Sequence, residues 1–562
     1  MHIYIDDNSN PLKEFQLPAN FTPELSRTNP FLTDEGSQSI PLTLPASEHN
    51  LRLVGFLHRG VPNRRPEKKY SVVLSEGSTW LRGRMIIEQA NKKEGIKCTI
   101  YANEGDFYEK IKDYKLTNLN WPKYTGEGAD VTSKARYWMN NFLNIMGNDS
   151  DPNTDYYIFS ATTDYVFITH YDYEGDEMLI INQYEQPNQT ILFAARVERK
   201  YKDGRGEDAT EYTVPVGYGV TPFLRLGYIL RHLFEFFGYK LESNVFDEEI
   251  SLKRVCILNN VADAIVSGIL DYSQLVPQDL SVEDFLENVR KKFSVEFIET
   301  NGTFSVKTWN QILSISADLD LSRYIHNDKT WIIQDKKSIQ IEYNSSYTLD
   351  AESQKVPLKH EAVKGTEIEN LSTDDQIPFD QISLLYYYPH LKDAHYLKAP
   401  YLGQITHKNS ELILSNSGEK QEEDADSIDL MYCFSIPGIQ RVQGLGMKYY
   451  AGTIWSYDNE DKTWGTLSLV ANEVVGDVNP TTKGSDNIYN KFYVSRDKML
   501  QQANQQIIYE AVIPAHIINS MDISTPKIID GQKVLIERID YVIGRPDLCQ
   551  ITARTLHLME DK

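Results

Sequence analysis

Apolar positions along this chain change period several times, and those changes mark out its elements. Over the first 120 residues they alternate. Ser39 to Leu44, Val72 to Leu74, Trp80 to Gln89 and Ile96 to Tyr101 read as strands, the last two joined by a hairpin-type loop at Asn91-Lys92-Lys93-Glu94-Gly95. From Gly126 to Asp155 the composition turns polar and rich in Asp and Asn, which predicts a boundary. Further strands are expected at Tyr156–Phe159, Tyr165–Thr169, Met178–Ile181 and Ile191–Val197, with a charged loop from Lys200 to Asp208.

The period then changes to that of a helix. Thr221 is placed to cap, Pro222 suits the first helical position, and Gly238 suits a left-handed end. Between them Phe223, Leu224, Ile229, Leu230, Leu233, Phe234 and Phe237 form a wide apolar stripe that must be buried against a sheet or another helix. A second helix starts at Ser281, with Asp284 three positions on in a variant of the capping box, and carries Val282, Phe285, Leu286, Val289 and Phe293 at helical spacing. Two alternating runs follow, Val295 to Ile298 and Phe304 to Lys307, joined through Thr300-Asn301-Gly302-Thr303. Asn-Gly between alternating strands is a strong hairpin signal, so Ser281 to Trp309 reads as one αββ unit.

Beyond Leu313 the signal weakens. Ser338 to Tyr343 reads as a strand and Ser417 to Asp429 as an acidic loop. Leu385 to Tyr388 and Tyr396 to Tyr401 form an aromatic cluster, read as β core with exposed phenol ends or as a sugar or subunit contact. Near the end a helix is expected from Ser495 to Pro514, on Met499, Leu500, Ala503, Ile507, Ile508 and Ala511. A hairpin pair then finishes the chain, Lys533 to Val542, entered through Asp530-Gly531, and Gln550 to Leu558.

Composition sharpens this picture of an α+β, β-rich multidomain protein. The 562 residues exceed what one core holds. Segments are expected at 1–125 (β), 126–220 (β-rich), 221–312 (the long helix and the αββ unit), 313–430 (β- and Tyr-rich) and 431–562 (β with one helix). The 35 Tyr favour β packing and tyrosine-bearing interfaces. With 57 basic against 80 acidic residues the net charge is −23, which repels phosphate backbones and speaks against a nucleic-acid partner. Arg59, Arg64, Arg65, Lys68 and Lys69 make one short basic stretch, read as a solvated loop. Cys98, Cys256, Cys433 and Cys549 are spread without a CxxC pair and read as small buried hydrophobes. No basic region followed by an apolar run opens the chain, and nowhere do eighteen apolar residues run together. A protein made in the cytoplasm, retained there or leaving by a route that needs no secretory signal, and without a membrane partner, is expected.

Patterns of catalysis that depend on spacing are absent. There is no HExxH, no Gly-x-Ser-x-Gly and no phosphate-binding loop. Gly217-Tyr218-Gly219 and Gly444-Leu445-Gly446 lack a third glycine and read as turns. Asp172 to Glu177 has His170 where a calcium loop wants its first carboxylate. Carboxylate pairs of the glycoside-hydrolase kind have no fixed spacing and stay open. No residue is therefore assigned a catalytic, cofactor-binding or metal-ligating role, and no cofactor is expected.

The run Leu280-Ser281-Val282-Glu283-Asp284-Phe285-Leu286, the helix ending at Phe293, and Asn301-Gly302-Thr303-Phe304-Ser305-Val306 together resemble a unit of phage tail proteins. It occurs in the hub proteins of contractile baseplates and in the amino-terminal parts of tail-associated lysins. Glu24 to Pro30 through Ser39 to Pro45 is similar to the start of hub-like proteins. Val220 to Leu224 with Phe236-Phe237-Gly238-Tyr239 fits the same group. The resemblance implies two similar β-barrel domains with smaller α/β modules, a homotrimeric ring joining tail tube to spike, and incorporation into the virion tail. It also implies bacterial synthesis, tube and baseplate proteins as partners, and no catalysis; this sequence departs from the lysins in showing no recognisable peptidoglycan-cleaving domain, so a hub without a fused lysin is expected. The competing readings are a carbohydrate- or receptor-binding tail protein, with Tyr386 to Tyr388, Trp455 and Trp464 as a sugar platform, and a glycoside hydrolase.

Overall fold

In the computed structural model the described residues are 2–5, 13–19, 21, 24–29, 32, 39–59, 69–76, 79–102, 104–147, 154–158, 161–162, 180–185, 192–203, 210–249, 252–253, 255–300, 303–326, 329–333, 335–342, 359–360, 362–370, 382–386, 397–400, 405–408, 431–433, 440–441, 448–449, 492–502, 505–542 and 545–556. They form a strand-rich α+β protein with several sheets and a few helices.

Near the start, alternation produces a six-stranded sheet in the order Lys13–Glu14, His2–Ile5, Lys69–Glu76, Thr79–Asn91, Gly95–Ala102, Ser39–Leu44. All the early strands expected from the pattern fall within it, and Asn91 pairs with Gly95 across the expected hairpin. A second sheet is built near the end, in the order Leu319–Asp320, Lys527–Ile529, Gln532–Val542, Arg545–Thr555, Gln505–Ala511, Thr330–Ile333. The strand Glu24–Thr28 is added on Gln532–Val542. Asp530 and Gly531, both at positive φ (52° and 73°), make the tight turn that enters Gln532–Val542.

This second sheet is curled, as chain length shows. Five strand spacings of about 4.8 Å would hold its outer positions about 24 Å apart if it were flat. Yet Asp320 pairs on one edge and Ile325, five residues on, bridges Ala511 on the other. Five residues reach about 17 Å at most, and Ser322–Tyr324 is a 3-10 turn, which shortens them further. The edges must therefore approach, with Leu319–Asp320 on one and Ile325 and Thr330–Ile333 on the other. A bulge at Glu537 keeps the interior apolar. It shifts the register between Ile536 and Arg538, so that Val534, Ile536, Ile539 and Tyr541 all reach one core. That core also contains Leu25 and the inner residues of the first sheet, among them Ile3, Leu42, Val72, Met85 and Ile100.

A second core, separate from that one, gathers residues from Phe107 to Leu556, and the first two expected helices lie in it. The first runs Leu226–Phe236 and starts later than the capping pattern predicted. Thr221 instead donates from Oγ1 to Asn259 Oδ1 (2.9 Å), while Phe223–Leu224 pairs antiparallel with Tyr156–Tyr157. Its end matches the expectation: Gly238 sits at φ 85°, with Gly238 N–H donating to Glu235 O and Tyr239 N–H to Phe234 O. The αββ unit is Val282–Phe293, Val295–Thr300 and Thr303–Thr308, with Thr300 opposite Thr303; Asn301 and Gly302 lie outside the described residues. Lys240–Asn244 adds a third, parallel strand, and Phe234 stacks on Phe304 at 4.4 Å, so the long helix packs on this sheet.

One helix was not expected, and two element readings fail, for identifiable reasons. The polar stretch read as a boundary holds the helix Val131–Gly147, in which Ala135, Trp138, Met139 and Phe142 are buried at intervals of 3, 1 and 3. Asp130 and Ser133 cap each other's backbone at its start. Asp and Asn content hid a narrow apolar stripe. The long helix expected from Ser495 stops at Gln502, and Gln505–Ala511 is a strand. There Ile507, Tyr509 and Ala511 are buried in alternation, and β-branched and aromatic residues favour that period. Lys200 to Asp203, the start of the expected Lys200–Asp208 loop, belongs to the strand Arg199–Asp203, which pairs with Thr210–Val214.

Candidate functional site

The charged residues worth testing for function lie at three joints between segments distant in sequence. The first surrounds Arg225, which precedes the Leu226–Phe236 helix and is 1% exposed. Its Nε donates to Lys253 O (3.0 Å), Nη1 to Thr154 O (2.9 Å), and Nη2 reaches Asp247 Oδ1 at 3.4 Å. Asp247 also pairs with Arg231 and accepts from Asn244 Nδ2 (2.8 Å). Gly227 is required here, because a Cβ would lie 2.5 Å from Asp247 Oδ1. Close by, burial raises the Asp155 carboxyl above its ordinary range, opposed by the Tyr272 hydroxyl at 3.3 Å and by Arg231 and Arg225. Tyr228, His232 and Trp121 stack beside it, the imidazole 4.4 Å from the indole.

The second joint lies in the αββ unit. Glu296 is buried on the strand Val295–Thr300, its Oε2 3.0 Å from Arg290 Nε, and it accepts from the Trp309 indole N–H at 2.9 Å. Arg496, from the Val494–Gln502 helix, stands over the Trp309 ring at 5.2 Å and pairs with Glu369 at 2.6 Å. Desolvation pushes Glu296 up to about 7, against the pull of Arg290 and Arg496.

The third joint ties the Glu24–Thr28 strand to the second sheet. Ser26 Oγ donates to Asp540 and accepts from Arg538 Nη2 (3.0 Å). Arg27 donates to Ile518 O (2.5 Å) and Met521 O (3.1 Å). Asn29 Nδ2 donates to Ile523 O (3.0 Å) and Ile536 O (2.8 Å). Ser26, Arg27 and Asn29, within the Glu24 to Pro30 run quoted above for its resemblance, thus form a polar clasp. Sequence spacing carries no signal for it, since its partners lie about five hundred residues away.

Chemically these sites hold segments together. Cys98 and Cys549 are buried, with Sγ donating to Leu42 O (3.7 Å) and Ala511 O (3.1 Å), and burial pushes the Cys98 thiol up to about 12. Cys256 is also buried, in register with Cys433 on the neighbouring strand. Gly217 and Gly219 are at positive φ in turns, as expected. Among the described residues no group of three or more His, Cys, Asp or Glu is placed to hold a metal ion, and no helix is long and apolar enough to cross a membrane. Asp172 to Glu177, Gly444 to Gly446, Trp455, Trp464 and most of the basic stretch lie outside the described residues. Of the Tyr-rich cluster, Ile382–Tyr386 and Leu397–Pro400 pair as strands.

One exposed feature adds to these joints. Among the described residues the strand Thr330–Ile333 occupies an edge of the second sheet with every residue exposed, Trp331 at 40% and Ile333 at 83%. No family model matches the sequence, and no curated protein matches it. Among solved structures the chain is similar to the 43 kDa tail protein of prophage MuSo2 from Shewanella oneidensis. The identity is 7% and the TM-score 0.31, over 99% of this chain and 98% of that one.

Proposed function

We propose that this chain is a structural component of a phage or prophage tail, a hub-like protein that joins the tail tube to the tip or spike by self-assembly into a homotrimer. The observation that carries the reading is the apolar edge strand Thr330–Ile333 on a braced, strand-rich scaffold. An edge strand exposes unpaired backbone groups, and proteins that stay monomeric blunt such edges with charge or proline. Here the edge carries Trp331, Ile332 and Ile333 in a chain of net charge −23. The four strand residues carry no formal charge, and Lys329 Nζ lies 5.4 Å over the Trp331 ring, so this strand adds nothing to the repulsion expected between copies of net charge −23. The sequence motifs behind the resemblance support the same reading, because they form the αββ unit and the polar clasp, both built as rigid joints. Virion incorporation and contacts with tube and baseplate proteins follow from it.

Mass photometry with negative-stain microscopy, on the chain alone and co-expressed with a tail-tube protein, tests the proposal. Ring-shaped trimers, alone or on the tube, are expected, together with an empty glycan array. A chain that stays monomeric in both samples, or binds a defined glycan selectively, overturns it.

A further inference from the structure

Exposed apolar side chains are gathered in one stretch of the chain. Of the ten large hydrophobics exposed among the described residues, five (Trp331, Ile332, Ile333, Val363 and Ile368) fall between residues 330 and 368. Ile333 at 83% and Ile368 at 56% are the most exposed of the ten. Those two sit on short edge strands. Thr330–Ile333 ends the second sheet, and Glu367–Asn370 ends a small sheet in the order Lys359–His360, Lys337–Glu342, Glu367–Asn370. The outer strands of the two large sheets are otherwise blunted. Lys13–Glu14 is charged and exposed, Pro41 removes a donor from Ser39–Leu44, and Leu319–Asp320 is two residues long.

We propose that the copies of the trimer join head to tail through these strands, Thr330–Ile333 of each copy pairing with Glu367–Asn370 of the next. This rests on the trimer proposed above and names the contact within it. Symmetry selects the pairing. A strand that pairs with its own equivalent does so about a two-fold axis and stops at a dimer, whereas a three-membered ring needs two different surfaces. Charge selects it too. Glu367–Asn370 against its own equivalent would set Glu367 and Glu369 beside theirs, while Thr330–Ile333 has no formal charge and is flanked by Lys329, Lys336 and Lys337. Such complementarity fixes which edges meet, and apolar contact, which salt leaves intact, holds them. Neither carboxylate enters the contact uncompensated, since Glu367 pairs with Lys337 at 3.3 Å and Glu369 with Arg496 at 2.6 Å. Chain length then places the contact. Lys337 lies four residues beyond Ile333 and pairs with Glu367, so Ile333 and Glu367 of one copy are within about 19 Å. Pairing between copies holds successive Glu367 residues within about 30 Å, and hence within about 17 Å of the three-fold axis.

Cross-linking tests this on the sample that forms trimers, the chain alone or with the tail-tube protein. Ile333→Cys and Ile368→Cys chains, one of them carrying a size tag, are co-expressed and treated with a short bis-maleimide. The natural chain controls for Cys98, Cys256, Cys433 and Cys549. A cross-link between the two different chains is expected, and none from either chain expressed alone. Ile333→Lys and Ile368→Lys should each weaken association about tenfold or more, as loss of a buried aliphatic contact does. Because both act on one contact, their combined effect should fall short of the product of the two. Trimers without a cross-link between the two chains, a cross-link from Ile333→Cys alone, or normal association of Ile368→Lys overturn the pairing and leave the trimer standing. Absence of trimers from both samples overturns the trimer itself, and the pairing with it.

Discussion

Single atoms decide the outcome at two positions. Gly227 packs so closely on Asp247 that an added methyl would lie 2.5 Å from Oδ1, the oxygen facing Arg225, on a carboxylate whose Oδ2 is held by Arg231 and Asn244. Gly227→Ala should therefore destabilise the fold by about 1–3 kcal/mol in a denaturant titration. That exceeds the helix-propensity gain of about 1 kcal/mol that the same change gives in an open helix. Ser294 offers the opposite case. It ends the Val282–Phe293 helix in the left-handed conformation at φ 45°, and its buried hydroxyl has no hydrogen-bond partner among the described residues. Ser294→Gly removes both penalties and should raise stability by about 1 kcal/mol, seen as a higher denaturant midpoint with an unchanged slope. The helix-ending glycine at 238 was readable from sequence, whereas a serine filling the same role carries no such mark.

Elements were legible where period, cap and turn agreed. In the αββ unit Ser281 accepts from Asp284 N–H at 3.0 Å, the apolar stripe is buried, and both strands pair in full. Ser281→Ala should cost about 1 kcal/mol by thermal unfolding, as removal of a helix cap does. Reading failed where one apolar set fits two periods. Ile507, Ile508 and Ala511 satisfy a helical spacing, and only their pairing with Arg545–Thr555 and Thr330–Ile333 selects the strand. The Val131–Gly147 helix was missed for a different reason, because its polar flanks outweighed four well-spaced apolar residues. None of the three charged joints was visible, since each joins residues whose proximity is created by the fold.

At the scale of the molecule, packing follows the sheets: one core spans residues from Ile3 to Ala553. The start and end of the chain are thereby bound into one body, with the Thr330–Ile333 strand on its outer edge. Association through that edge sets apolar burial against the mutual repulsion of copies carrying −23 each. The two terms respond differently to conditions. Added salt shortens the range of repulsion to about 8 Å at 0.15 M and leaves apolar contact intact. Self-association should therefore strengthen with ionic strength, the reverse of an ion-pair interface. Ile333→Lys should separate the terms: at 83% exposure the change alters monomer stability by no more than about 0.5 kcal/mol. It also places a charge where the partner's backbone would pair, so association should weaken at every salt concentration. Sedimentation velocity across a salt series checks both. Weakening by salt would point to charged contacts, and an unchanged Ile333→Lys profile would place the contact on another face.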